Sequence, residues 1–162
     1  PQVDIWEDFQ CPICHTFEGI NNSYINELAS GGKVKVVFHT MSFIGAESVI
    51  AANAGACANA EGKFIQFHKA LYEDQSTTEN SGHWNSAAMI ALGKKVGINS
   101  SGFASCVNNS KYSGWVQKIE DSAAKKNVNA TPTVFVNGKE INRQTQYMDA
   151  AAFKAAITSA GA

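Results

Sequence analysis

Arginine is nearly missing from this chain: Arg143 is the only one. Bidentate clamps on phosphate or carboxylate groups are therefore all but excluded as its main business. An excess of positive charge is missing too, with 13 Lys and Arg against 14 Asp and Glu. A phosphate-backbone binder needs a basic face to displace counterions, so no nucleic acid partner is expected. No apolar run is long enough for a membrane span. Proline is scarce, limited to Pro1, Pro12 and Pro132. No internal repeat or low-complexity linker breaks the pattern. An initiating Met is also lacking, and an opening on Pro1-Gln2-Val3-Asp4 suggests a processed or trimmed product.

What is present suits a folded domain. The chain has 162 residues, 44% hydrophobic and 17% charged, enough to bury a core and too apolar for disorder. That length fits one domain or one domain with a sizeable insertion.

The hydrophobic spacing gives an element order. Val3 to Asp8 reads as a strand running straight into Cys11. Phe17, Ile20, Tyr24 and Leu28 recur at helical spacing, and Gly31-Gly32 ends that helix. Val34 to Phe38 is a short apolar run, expected to be a central strand buried on both faces. Strand, helix and strand at this spacing predict a parallel βαβ unit. From about Ser48 to Lys126 the pattern is helical, with Asp74 to His83 as a polar loop. Thr133 to Val136 returns to strand spacing. Asn137-Gly138 then predicts a tight hairpin with Lys139 to Asn142 pairing back. Ala150, Phe153 and Ile157 give a terminal helix.

The chemistry concentrates on Cys11-Pro12-Ile13-Cys14. Two cysteines three apart at a helix start are close enough to be bridged. Cys14 continues the buried stripe of Phe17. Cys11 stands at the helix start, where free N–H groups and the macrodipole favour an anion, and Pro12 suits the first helical position. A lowered thiol pKa at Cys11 and a protected thiol at Cys14 follow. Such a pair exchanges disulfides: one sulfur is attacked or attacks, and the other resolves. The same spacing also makes half a zinc site, but no second Cys-x-x-Cys completes four ligands, so no metal and no cofactor are expected.

Ala130-Thr131-Pro132-Thr133 leads into a strand, where a proline that cannot donate to the ladder is ordinary. Together with Asp8-Phe9-Gln10 before the cysteines, Phe135-Val136-Asn137-Gly138, and Gly62-Lys63-Phe64 to His68 with Leu71, it resembles the DsbA-like branch of the thioredoxin superfamily over nearly the whole chain. The resemblance implies an α/β thioredoxin-like fold with an inserted helical domain. Residues 1–45 and 128–162 would form the thioredoxin-like part and 46–127 the insertion. It also implies a cis bond at Pro132 lying against the active-site pair, with the Thr131 backbone pairing with an extended substrate segment.

By the same resemblance, the activity is that of a disulfide oxidase acting on unfolded or reduced secreted proteins outside the cytoplasm, in the periplasm, at the envelope or secreted. An anchor removed with an N-terminal segment fits that location. Reoxidation falls to a membrane quinone-linked oxidase of the DsbB or VKOR type. A reductase or isomerase on the same scaffold, or a non-catalytic metal-binding module, are the rival readings. The chain departs from its relatives in three places. The usual first strand is missing, Ile13 offers no hydrogen bond to a thiolate, and Thr40-Met41-Ser42-Phe43 lacks a proline.

Cys57 and Cys106 read from sequence as two buried thiols. The resemblance favours a bridge between their helices. His15 is expected to be an exposed spectator, and His39 and His68 to be satisfied structural residues. Glu7 and Asp8 precede the cysteines. The ordinary reading of such acids is solvation, and the sharper one is a buried proton relay to Cys14.

Overall fold

The computed structural model describes residues 1–161. Strand β1 (Gln2–Asp8) is followed by helix α1 (Pro12–Ser30) and strand β2 (Lys35–Met41). Five helices come next: α2 (Ala46–Ala60), α3 (Phe64–Glu73), α4 (Ser86–Lys95), α5 (Ser101–Asn108) and α6 (Ser113–Lys125). The chain returns through β3 (Thr133–Val136), β4 (Lys139–Glu140), a short α7 (Arg143–Gln146) and α8 (Ala150–Ser159).

The four strands form one sheet in the order β2-β1-β3-β4, with β1 and β2 parallel and the other pairs antiparallel. The expected βαβ unit is therefore present. The expected position of its second strand is not: β2 is an edge strand, only partly buried along most of its length, and it extends to Met41. A short apolar run cannot distinguish a strand covered on both faces from an edge strand whose side chains lean on neighbouring helices. Here β1 takes the central place.

The hairpin forms at Asn137-Gly138, both with positive φ, as a tight primed turn requires. The returning strand is shorter than expected. It stops at Glu140 because Asn142 turns away to cap α7, its side chain accepting from Gln144 N and Thr145 N.

β1 decides where the site lies. Successive side chains on a strand point to opposite faces. Val3 and Ile5 enter a core with Phe17, Ile25, Val134 and Phe153, beneath α1 and α8. Trp6 packs on the other face with Met41, Ala123 and Val128. The third and largest cluster lies among α2, α3, α4 and α5, and it reaches Phe9, Cys11 and Cys14. The cysteine pair thus sits where the sheet core meets the helical core.

Candidate active site

Two bonds just beyond the end of β1 place Cys11. Its N–H donates to Asp8 O at 3.0 Å, closing a turn over Phe9 and Gln10. Cys11 itself is the N-cap of α1, with extended φ and ψ of −71° and 119°, and Pro12 takes the first helical position. Its Sγ lies 3.4 Å from the Cys14 N–H, which points at it as the helix start dictates. The residue is 6% exposed, while Cys14 is completely buried; both thiols are free.

The environments push the two thiols apart. Donation from the Cys14 thiol and from the N–H groups of Cys14 and Ile13, with the nearby Thr131 acting in the same direction, outweighs burial and brings Cys11 down to about 6. Burial drives Cys14 far above the ordinary thiol range, reinforced by its bond to Cys11 and by the charge of Glu7.

Opposite the pair, the Thr131–Pro132 peptide bond is cis, and Thr131 O lies 3.6 Å from Cys11 Sγ. Arg143 holds this loop from behind. Its guanidinium donates to Pro132 O and to Thr133 Oγ1, both at 2.6 Å. The single arginine is indeed a two-point clamp, though on the protein's own backbone loop.

The two acids before the cysteines are both buried, so the solvated reading does not hold for either. Asp8 accepts from Gln10 N at 2.9 Å, Ile44 N at 3.1 Å and Ser48 Oγ at 2.6 Å. Burial raises its pKa to about 6 against those three donors. Glu7 accepts from His68 Nε2 at 2.9 Å and is raised to about 7, by burial first. Glu18, on α1, stands beside them. Burial and the charge of Glu7 push its carboxyl well above the usual range. Burial lowers the His68 imidazole, which stays neutral. Among the described residues, the one group of possible metal ligands is this trio, with ligand atoms within 4.8 Å of one another, and not the cysteine pair.

The helical segment also straps the turn from outside. Gln75 Nε2 donates to Phe9 O at 2.7 Å and to Cys11 O at 3.0 Å, and Tyr72 OH donates to Asp8 O. Gln10 bonds Ser48 and Asn80. His15 is exposed, as expected, and its Nδ1 contacts Tyr72 O. His39 pairs with Asp4 and stacks on Trp6 at 3.9 Å. Ile13 and Phe43 are the most exposed large apolar side chains, at 57% and 54%. The roles of Glu18, Ser48, Gln75, Asn80 and Arg143 were not read from the sequence. Only Glu18 carried a signal, lying one helical turn after Cys14.

Away from the pair, a disulfide joins Cys57 on α2 to Cys106 on α5, across a separation of 49 residues.

This geometry agrees with the comparisons. The sequence profile described as Thioredoxin matches residues 1–158. This chain belongs to the thioredoxin family. Within the family it is 30% identical over 149 residues to disulfide bond formation protein D of Bacillus subtilis, covering 86% of this chain. It spans 64% of the length of that relative, and the same share of two probable counterparts from other Bacillus species. Among solved structures, the reduced form of the oxidoreductase DsbG from Mycobacterium tuberculosis superposes with a TM-score of 0.81 at 31% identity, covering 98% of this chain and 76% of that one. Oxidised BdbD from Bacillus subtilis superposes with a TM-score of 0.82 at 28% identity, covering 98% and 86%. The α/β fold with a four-stranded sheet is the thioredoxin-like fold of these DsbA-type proteins.

Proposed function

We propose that this protein is a thiol:disulfide oxidoreductase that exchanges disulfides through Cys11 and Cys14, in the direction that oxidises substrate proteins. The observation that carries the reading is the asymmetry of the pair: a Cys11 sulfur stabilised as thiolate at the head of α1, over a fully buried Cys14. In the oxidising direction a substrate thiolate attacks Cys11 Sγ of the bonded pair. The Cys11–Cys14 bond breaks, a mixed disulfide forms, and Cys14 leaves with the electron pair and takes a proton. A second substrate thiolate then attacks the substrate sulfur, closing the substrate disulfide and releasing Cys11 as thiolate. Two electrons have moved from substrate to protein.

A thiol held at about 6 rather than 9.0 favours the reduced protein by about 1.4 kcal/mol at pH 7, or about 30 mV of oxidising power. The cis-proline loop supports a protein substrate, since Thr131 O lies beside the reacting sulfur. The relative named for disulfide bond formation supports the oxidising direction. The bonded Cys57–Cys106 pair favours an oxidising, extracytoplasmic compartment. Secreted or envelope proteins are then the substrates, and a membrane quinone-linked oxidase of the DsbB or VKOR kind restores the disulfide. Residues 46–127 are the helical insertion, and they serve as the strap over the active-site turn.

The redox equilibrium of Cys11–Cys14 against glutathione tests the direction. A potential toward the DsbA reference of about −120 mV is expected. One at the thioredoxin reference of about −270 mV would replace the oxidase by a reductase.

A further inference from the structure

The backbone of β3 presents its groups alternately to the two strands beside it. Asn137 N–H donates to Gln2 O on β1 at 2.9 Å, so Phe135 and Thr133 face β1 as well, Thr133 in register with Trp6. Thr131 keeps that side. There β1 has given way to the turn that carries Cys11, and Thr131 O lies 3.6 Å from Cys11 Sγ. Val134 and Pro132 face the other way, toward β4.

That neighbour is too short to serve them, since β4 ends at Glu140. Ile141 N still donates to Val134 O at 3.2 Å, and beyond it side chains take over from the strand. Tyr147 OH accepts from Val134 N at 2.7 Å, and Arg143 Nη1 donates to Pro132 O at 2.6 Å. Proline has no N–H, so this carbonyl is the one backbone hydrogen-bonding group that Pro132 offers. An open stretch of edge here would be a template for any extended chain. The two side chains close it.

The guanidinium is itself fixed. Nη2 donates to Thr133 Oγ1 at 2.6 Å and to Glu140 Oε1 at 3.0 Å, and the Tyr147 ring lies against it, 5.2 Å from centroid to Cζ. Tyr147 OH donates to the same Glu140 oxygen at 3.1 Å, and Asn21 of α1 holds the Tyr147 carbonyl at 2.8 Å. Thr133 Oγ1 in turn donates to Ala130 O at 2.6 Å. One planar fork therefore ties the carbonyl after Thr131 and, through a hydroxyl, the carbonyl before it. Thr131 O is held between them, facing Cys11. A lysine ammonium is a point charge and does not match this two-point geometry.

We propose that Arg143 is a positioning residue for polypeptide substrates, holding Thr131 O as the acceptor for a substrate backbone N–H and closing the adjoining β3 edge against pairing out of register. The inference rests on the exchange chemistry proposed above. In the reduced protein the Cys11 S–H donates to Thr131 O. In the bonded pair that proton is gone, and the carbonyl is free to accept from an extended segment as its cysteine reaches Cys11. A slip of one residue along an open edge would carry that cysteine about 3.3 Å from the reacting sulfur. A small dithiol has no backbone to align and needs only the sulfur. Main-chain pairing takes no account of side chains, so the selectivity gained is for extended polypeptide over small thiols and not for a sequence.

The test is the ratio of two second-order rate constants for the oxidised protein, one with an unfolded peptide carrying two cysteines and one with dithiothreitol. Arg143→Gln and Arg143→Lys should each lower that ratio about tenfold, the effect of losing one charge-assisted hydrogen bond worth about 1.4 kcal/mol. Thr133→Val, which cuts the link to Ala130, should lower it too, while Thr133→Ser should preserve it. A peptide N-methylated at the amide beside its first cysteine should react more slowly with the wild type and show little further loss with Arg143→Gln. Loss of folding alone would not produce that coupling. A ratio unchanged in both Arg143 variants, equal ratios in Thr133→Val and Thr133→Ser, or an N-methylation penalty as large in Arg143→Gln as in the wild type overturns the positioning role. A wild type that oxidises neither substrate overturns the exchange function instead.

Discussion

At the scale of single residues, the site depends on side chains whose partners lie far away in sequence. Ser48 is the clearest case. Its hydroxyl donates to Asp8 and accepts from Gln10 Nε2, tying α2 to the turn that presents Cys11. Ser48→Ala would take one donor from Asp8 and one acceptor from Gln10 in a fully buried place, leaving Asp8 the Gln10 and Ile44 N–H groups and Gln10 its bond to Asn80. A destabilisation of about 1–3 kcal/mol is expected in denaturant unfolding. Cys11 should also become less acidic, because the turn that seats it on the helix loosens. An unchanged midpoint would show that the Asp8 network does not hold the turn. The cysteines and Pro132 were legible because their chemistry is written in short local spacing. Ser48 and Gln75 were not, since they act across 40 and 66 residues and look like any exposed polar residue until the chain folds. Glu7 and Asp8 were legible as acids beside a thiol. Which one was held by three donors and which kept an unpaired oxygen depended on the face of β1 each occupied.

At the scale of elements, helical spacing placed α1, and Asn-Gly placed the hairpin, because each is decided by neighbours within a few residues. The rank of β2 in the sheet was not legible, since strand order is a long-range property. The link between α2 and α5 is of the same kind, left open by composition, favoured by the resemblance to relatives, and seen only in the folded chain. Cys57 and Cys106 are both buried in the helical core that also holds Cys14. Chain entropy for a loop of 49 residues gives about 4 kcal/mol of stabilisation. The paired Cys57→Ala, Cys106→Ala variant should lower the thermal midpoint by on the order of 10 °C. Its Cys11 acidity should change little, because the link lies outside the first turn of α1. A large drop in Cys11 reactivity at unchanged stability would mean that α2 and α5 hold the site rather than the fold.

For the whole molecule, stability should depend on pH with two opposed slopes. Glu7 and Asp8 are raised in the folded state to about 7 and about 6, from 4.5 and 3.8. Between about pH 4 and 7 the native state therefore binds more protons than the unfolded one, and stability falls as pH rises through that window. Each acid accounts for about 3 kcal/mol taken alone, less when coupled to its neighbours. Cys11 has the opposite sign. Its folded value of about 6 lies below the ordinary 9.0, so its contribution is complete above pH 9 and is lost as pH falls through 6. That is about 4 kcal/mol across the window, available only to the reduced protein, since a bonded sulfur does not titrate. Glu18 is raised as well and extends the acid slope in both forms. The reduced form should thus gain stability relative to the oxidised form as pH rises from about 6 toward 9, while the oxidised form keeps only the acid slope. Denaturant unfolding of both forms at pH 5, 7 and 8.5 measures the divergence. Parallel curves would remove the stabilised Cys11 thiolate, and with it the physical basis for an oxidant.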